Sequence, residues 1–132
     1  MARAPWLIAG AAAAALAGVV LLKRPADAST HPTPRPGITA AKVLPASLVP
    51  RTLGAAEAYA AARTTAGTLD GVYCYCDCSK HARHRSLLTC FEGEHGAYCD
   101  ICMGEAMVAS EMTKDGRSLM QIRAAIDRQF GS

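Results

Sequence analysis

A chain of 132 residues has room for one small domain and little else. Its net charge of +3 is unevenly placed: residues 1–52 carry six basic side chains against Asp27 alone, whereas residues 53–132 are slightly acidic. No basic stripe interleaved with aromatics occurs, which excludes a nucleic-acid surface.

Arg3 precedes an apolar run from Trp6 to Leu22, closed by Lys23 and Arg24. The run is 17 residues, short for a bilayer span and long for a signal core. Ala26-Asp27-Ala28 then offers a small-residue cleavage site. Residues 1–24 therefore read as a signal peptide or as an N-terminal membrane anchor. A buried soluble helix fits poorly a run this uniform at the very N-terminus. Either leading reading predicts an extracytoplasmic protein, in the periplasm or on the outer face of the cell membrane, anchored or secreted. Flanking charge balances and leaves orientation open.

Six of the seven prolines fall between Pro25 and Pro50. Residues 25–52 read as a Pro-rich linker, extended and solvated, with His31 unpaired.

Residues 53–132 hold the folded part. Leu53 to Ala66 is rich in alanine and predicts a helix that stops at Gly67. Leu69 to Asp77 favours extended backbone through Val72, Tyr73 and Tyr75. Ser79 is a candidate cap for a short helix to Leu88, and residues 92–96 read as a loop. A helix is expected from about Asp100 to Lys114, ended by Asp115-Gly116. Ser118 and Gln121 form a capping-box pattern, with Leu119, Ile122, Ile126 and Phe130 following at helical spacing. Ile101, Val108 and Met112 form the matching stripe, so the two helices should pack antiparallel. The expected fold is mainly α: a small helical domain with a C-terminal helical hairpin around a cysteine cluster. A core this small usually wants staples.

All six cysteines lie between residues 74 and 102: Cys74, Cys76, Cys78, Cys90, Cys99 and Cys102. In extended backbone Cys74, Cys76 and Cys78 share a face, with alternate Cα atoms roughly 6.5–7 Å apart, at or past the disulfide limit. They should reach outward to the other three. Three long-range disulfides or a polythiolate metal site would both use that arrangement, and the pairing is unreadable from spacing. Cys99-Asp100-Ile101-Cys102 is a C-x-x-C at a predicted helix N-terminus, where thiolate is favoured. It suits a metal ligand and a redox thiol equally.

His81 and His84 share a face if their segment is helical. His84 is a candidate ligand for zinc or copper, against the bland reading of a solvated histidine in a basic run. His95 sits in a Gly-rich loop and is expected to be exposed. Met103 and Met107, one turn apart, suit Cu(I) but more often fill a core. Asp77 and Glu105 show no partner in the sequence and receive no acid–base role.

Cys74-Tyr75-Cys76-Asp77-Cys78, His84-Arg85-Ser86-Leu87, Cys90-Phe91, Cys99-x-x-Cys102, Ile122-Arg123 and Ile126-Asp127 together resemble the exported bacterial family named for its PCYCGC or CYCXC motif. The resemblance covers about residues 53–132. It implies no established function. Many members look like lipoproteins, whereas this chain has no cysteine placed for lipid modification. Some members carry selenocysteine at a motif cysteine, which implies redox or soft-metal chemistry. Tyr73 stands where the motif has proline. The last hairpin is also similar, by analogy only, to the helical thiol reductant of cytochrome c maturation.

Three functions follow. The first is binding of a thiophilic metal, zinc or copper, through Cys74, Cys76, Cys78, Cys90, Cys99, Cys102 and His84. The second is a thiol redox protein using Cys99 and Cys102 or the C-x-C-x-C set. The third is a disulfide-stapled module without chemistry of its own. Expected partners are the membrane, through an uncleaved N-terminus, and a thiol redox or metal-transfer protein.

Overall fold

The computed structural model describes residues 31–131; the apolar run and its cleavage site lie outside the described residues. Among the described residues the regular elements are all helical. None of their helices is long and apolar enough to cross a membrane.

Helix α1 (Ala55–Thr64) is alanine-rich as expected, and it buries Ala55, Ala58, Tyr59 and Ala62 along one face. Tyr59 anchors it. Its ring meets Phe91 edge-on at 4.9 Å, and its hydroxyl donates to the Gly93 carbonyl at 2.6 Å. The chain does not stop at Gly67. Thr65 interrupts it instead, donating its N–H and hydroxyl back to Ala61, and α2 (Ala66–Asp70) follows. Two further short helices, α3 (Cys78–His81) and α4 (Thr89–Glu92), and a 3-10 turn at His95–Tyr98 fill the sequence up to the hairpin.

Helix α5 (Asp100–Lys114) ends at Gly116, whose φ of 73° only glycine adopts without strain. Helix α6 (Leu119–Phe130) begins with both halves of the capping box in place between Ser118 and Gln121. Ile122 and Ile126 are buried; Leu119 and Phe130 are half-buried against the same core. The inward stripe of α5 differs from the expected one. Val108 and Met112 pack against the core as expected, but Ile101 is 41% exposed, and Cys102, Glu105, Ala106 and Ala109 are the buried residues. The difference arises because α5 packs on α1 as well as on α6, so its buried face is wide and is centred on small and sulfur-bearing residues.

The described part of the Pro-rich segment is not a solvated spacer, and His31 is not unpaired. Prolines keep residues 31–36 extended, which leaves their carbonyls without internal partners. Arginines take them: Arg123 donates to Pro32 at 2.8 Å, and Arg85 donates to Thr33. Arg35 in turn grips Asp70 through its backbone N–H (2.7 Å) and its guanidinium (2.7 and 3.1 Å). Asp70 is fully buried; burial alone would raise its pKa, but the Arg35 bonds and the nearby Arg85 hold it below the ordinary value. His31 Nδ1 accepts the Tyr73 N–H at 3.0 Å, so its proton sits on Nε2 and is donated to Asp127 at 2.8 Å. Farther along, Val43 is buried in the core and the Leu44 N–H binds the Phe91 carbonyl at 2.8 Å.

Two outcomes follow from this packing. Ile126→Ala should lower unfolding free energy by about 2–5 kcal/mol, and a loss below half a kcal/mol in denaturant titration would contradict the hairpin packing. Burial also lowers the His31 pKa from 6.5 despite Asp127. Between that lowered value and 6.5 the unfolded chain binds the proton and the folded chain does not, so the His31 contribution to stability falls as pH drops through this window and is constant above it. His84 contributes with the same sign. The acid slope of the denaturation midpoint should therefore shrink, without vanishing, in His31→Gln; equal slopes would refute the role of His31.

Candidate metal centre

The centre is built where the loop after α2 meets α3, α4 and the start of α5. Leu87 and Leu88 fix the loop's base, their N–H groups binding the Val72 and Leu69 carbonyls at 2.8 and 3.2 Å. The loop is a turn rather than an extended strand. Asp77 takes a left-handed φ of 60°, tolerated by Asp more than by most residues. Tyr73 and Lys80 hold its carboxylate at 3.0 Å each. The turn folds the C-x-C-x-C sulfurs onto one another and draws the Cα atoms of Cys76 and Cys78 to 5.5 Å, where the two form a disulfide. The expectation that these cysteines bridge poorly among themselves is thereby overturned for this pair, because it assumed extended backbone at Asp77.

Other elements bring the remaining donors. Cys90 lies on α4 and Cys102 in the first turn of α5. The N–H groups of Ala82 and His84 both bind the Cys78 carbonyl, at 2.9 and 3.2 Å, folding His84 back over the loop. His95 enters from the 3-10 turn. Its neighbour Gly96 passes so close to α4 that a Cβ there would lie 2.9 Å from the Cys90 carbonyl. Glycine at that position lets the His95 segment close over the cysteines.

The result is two overlapping donor groups. Five sulfurs, of Cys74, Cys76, Cys78, Cys90 and Cys102, all lie within 4.8 Å of one another. Cys74 is 3.3 Å from Cys102 and 3.4 Å from Cys76, and Cys78 is 3.7 Å from Cys90. The second group is Cys78, His84, Cys90 and His95. His84 Nδ1 lies 3.2 Å from the Cys90 sulfur, and His95 Nε2 lies 3.1 Å from that of Cys78.

Cys99 does not join either group. Its sulfur accepts the Cys102 N–H at 3.4 Å and caps α5. The C-x-x-C is thus divided, one thiol facing the centre and one serving its own helix, and neither is bridged. His81 is exposed and outside both groups. Met103 is buried beside Gly54 and Met107 is exposed, and neither contributes to the donor groups described.

His95 and Glu105 were not singled out by spacing. His95 is half-buried rather than exposed, and only the fold of the 92–98 turn reveals it. Glu105 was accessible to helical reasoning, since it sits one turn after Cys102 on the same face. It is fully buried; Oε1 accepts the Tyr75 N–H at 2.8 Å, and Oε2 has no partner. Burial first, and the Cys74 charge next, push its pKa up to about 10, so it is a neutral acid beside the sulfurs.

Electrostatics single out Cys74. The neighbouring thiols, Cys102 first and Cys90 next, draw its pKa down against burial, and the same contact pushes Cys102 upward. Crowded thiols resist carrying several negative charges at once, and a cation among them would favour deprotonation. Burial first and His95 next hold the pKa of His84 below 6.5, which leaves its ring neutral and a lone pair free to bind.

A family model described as a protein of unknown function with PCYCGC motif matches residues 29–132. The match agrees with the motif-based resemblance and takes in residues 29–52 as well. The motif's glycine position is occupied by Asp77, the left-handed residue of the turn. No curated protein and no solved structure matches the chain.

Burial predicts an order of thiol reactivity. Without reductant, iodoacetamide should label Cys99 first in the folded protein. Cys74, Cys90 and Cys102 should react only on unfolding, and Cys76 and Cys78 only after reduction. Peptide mass spectrometry reads this out; early labelling of Cys90 or Cys102 would contradict the packing.

Proposed function

The chain belongs to the PCYCGC-motif family, and from its cysteine centre we propose that it binds a thiophilic metal ion, zinc or copper, in its reduced form. One observation carries the reading: five sulfurs, drawn from the 74–78 loop, α4 and α5, converge within 4.8 Å. Bonds of about 2.3 Å at tetrahedral angles place sulfurs about 3.8 Å apart. The separations of 3.3–4.0 Å fall near that edge length. Packing of hydrophobic cysteines alone gives no reason for this many sulfurs at one point, with two imidazoles beside them. Cys74, Cys78, Cys90 and Cys102 are the proposed principal ligands, with Cys76 as a fifth sulfur. Cys99 drops out of the ligand set inferred from sequence.

A second reading, thiol exchange, is favoured by the Cys76–Cys78 bridge beside Cys74. The Cys74 sulfur, a nucleophile as thiolate, lies 3.4 Å from the Cys76 sulfur. Its attack there would form a Cys74–Cys76 bond and release Cys78 as thiolate, conserving electrons. The redox pair on this reading is the C-x-C-x-C set rather than Cys99 with Cys102. We further infer an extracytoplasmic location, supported by the Trp6–Leu22 run and Ala26-Asp27-Ala28.

The test is native mass spectrometry of protein recovered by cell fractionation. The metal reading expects protein outside the cytoplasm carrying zinc or copper with Cys76 and Cys78 reduced. Cys90→Ser and Cys102→Ser should weaken retention by at least the roughly 10–100-fold that loss of an outer-shell partner costs, and Cys99→Ser should not. Metal-free protein that takes up no ion after reduction sinks the metal reading, and a cytosolic pool alone sinks export.

A further inference from the structure

The two donor groups intersect in two sulfurs, Cys78 and Cys90. We propose that His84 and His95, together with those two sulfurs, form a second metal site, so that the loaded centre is a pair of divalent ions bridged by the thiolates of Cys78 and Cys90. The inference rests on the metal-binding reading and goes beyond it in number, ligand set and charge of the ions.

Geometry carries the first step. Each imidazole reaches a different shared sulfur: His95 Nε2 is 3.1 Å from Cys78, and His84 Nδ1 is 3.2 Å from Cys90. The two sulfurs are 3.7 Å apart, close to the tetrahedral edge of about 3.8 Å. Two sulfurs and two imidazoles at mutual distances within 4.8 Å are the donor set of a closed zinc site. Using them there does not empty the first site. Cys74 and Cys102, 3.3 Å apart, remain as its terminal ligands, with Cys76 at 3.4 and 3.5 Å from them.

Charge carries the second step. Four thiolates around one divalent ion leave a net −2. Those four cysteines are essentially buried, and the carboxyl of Glu105 lies against them rather than a cation. No lysine or arginine hydrogen-bonds any of the donor atoms among the described residues. Buried charge without compensation is costly. A second divalent ion, held by two neutral imidazoles, brings the core to zero. Two Cu(I) ions would leave −2, so charge favours a divalent ion of borderline softness, with zinc as its representative.

Position supplies an entry route. His84 and His95 are both half-buried with their rings 4.7 Å apart, whereas Cys78, Cys90 and Cys102 are fully enclosed. The sulfur site is the inner one and the imidazole site the outer. Loading requires the Cys76–Cys78 bond to open. A dithiol reductant supplies two electrons and two protons, becoming a disulfide while both cysteines become thiols. The incoming ions then displace the thiol protons to solvent.

The full chain, kept reduced with a dithiol under anaerobic conditions in mild detergent, is titrated with zinc and weighed by native mass spectrometry. Two ions per chain are expected in the wild type, and one in His84→Gln and in His95→Gln with unchanged far-ultraviolet circular dichroism. Should either variant misfold, the wild type decides alone: diethyl pyrocarbonate should acylate His84 and His95 before, but not after, the second equivalent of zinc. Saturation at one ion, or two ions with both histidines still reactive, overturns the paired site and leaves the single-ion reading standing. No zinc bound at all overturns both.

Discussion

The rest of the fold depends on the convergence of five sulfurs at one buried point. The large side chains fully enclosed in the core are few, chiefly Tyr59, Phe91, Leu69, Leu87, Leu88, Ile122 and Ile126. Helices α1 and α5 meet through faces rich in alanine, which contribute little apolar area per residue. Beside that contact, where the loop after α2 meets α3, α4 and the start of α5, the interior is occupied by cysteines, which bury as small hydrophobes when neutral and act as ligands when charged. A domain so lean in aliphatic bulk usually wants staples, yet the Cys76–Cys78 bond joins residues only two apart and closes no long loop. The short elements α3 and α4, four residues each, are too short to persist alone; each delivers a cysteine to the shared point.

A second, polar constraint closes the molecule from the opposite direction. The extended segment from His31 to Pro36 crosses between α2 and α6 and is fastened by Asp70, Asp127, Arg85 and Arg123. Asp127 also accepts the Tyr75 hydroxyl at 2.6 Å, and Tyr75 lies between Cys74 and Cys76. The fastening of the N-terminal segment and the placing of the cysteine loop thus share a carboxylate on α6. Packing at the hairpin, the position of the strap and the shape of the sulfur loop are coupled through that residue.

The hairpin was legible because its signals are local. Capping by Ser118 and Gln121, a left-handed Gly116 and a helical repeat of Ile122 and Ile126 all act within a few residues. The site was legible in its chemistry and less so in its geometry. Cys74, Cys76, Cys78, Cys90, Cys102 and His84 come together, but the spacing of Cys99 and Cys102 did not reveal that the first caps α5 while only the second turns inward. His95 was hidden because its approach depends on the clearance at Gly96, a tertiary fact. The Pro-rich segment misled for a physical reason. Its composition does fix an extended backbone, yet composition says nothing about arginines 52 and 91 residues away that bind its free carbonyls.

Asp77 shows how one backbone angle decides between chemistries. With that residue extended, Cys76 and Cys78 would project to the same face too far apart to bond, as independent ligands. In the left-handed region it brings them to bonding distance while leaving Cys74 and Cys102 within 3.5 Å of Cys76. Even in this bonded state the Cys78 sulfur stays 3.7 Å from that of Cys90 and 3.1 Å from His95 Nε2. Because Cys78 belongs to both donor groups, its oxidation removes a ligand from both at once. Were an ion held there as proposed, coordination by Cys78 and the Cys76–Cys78 bond would be competing uses of one sulfur.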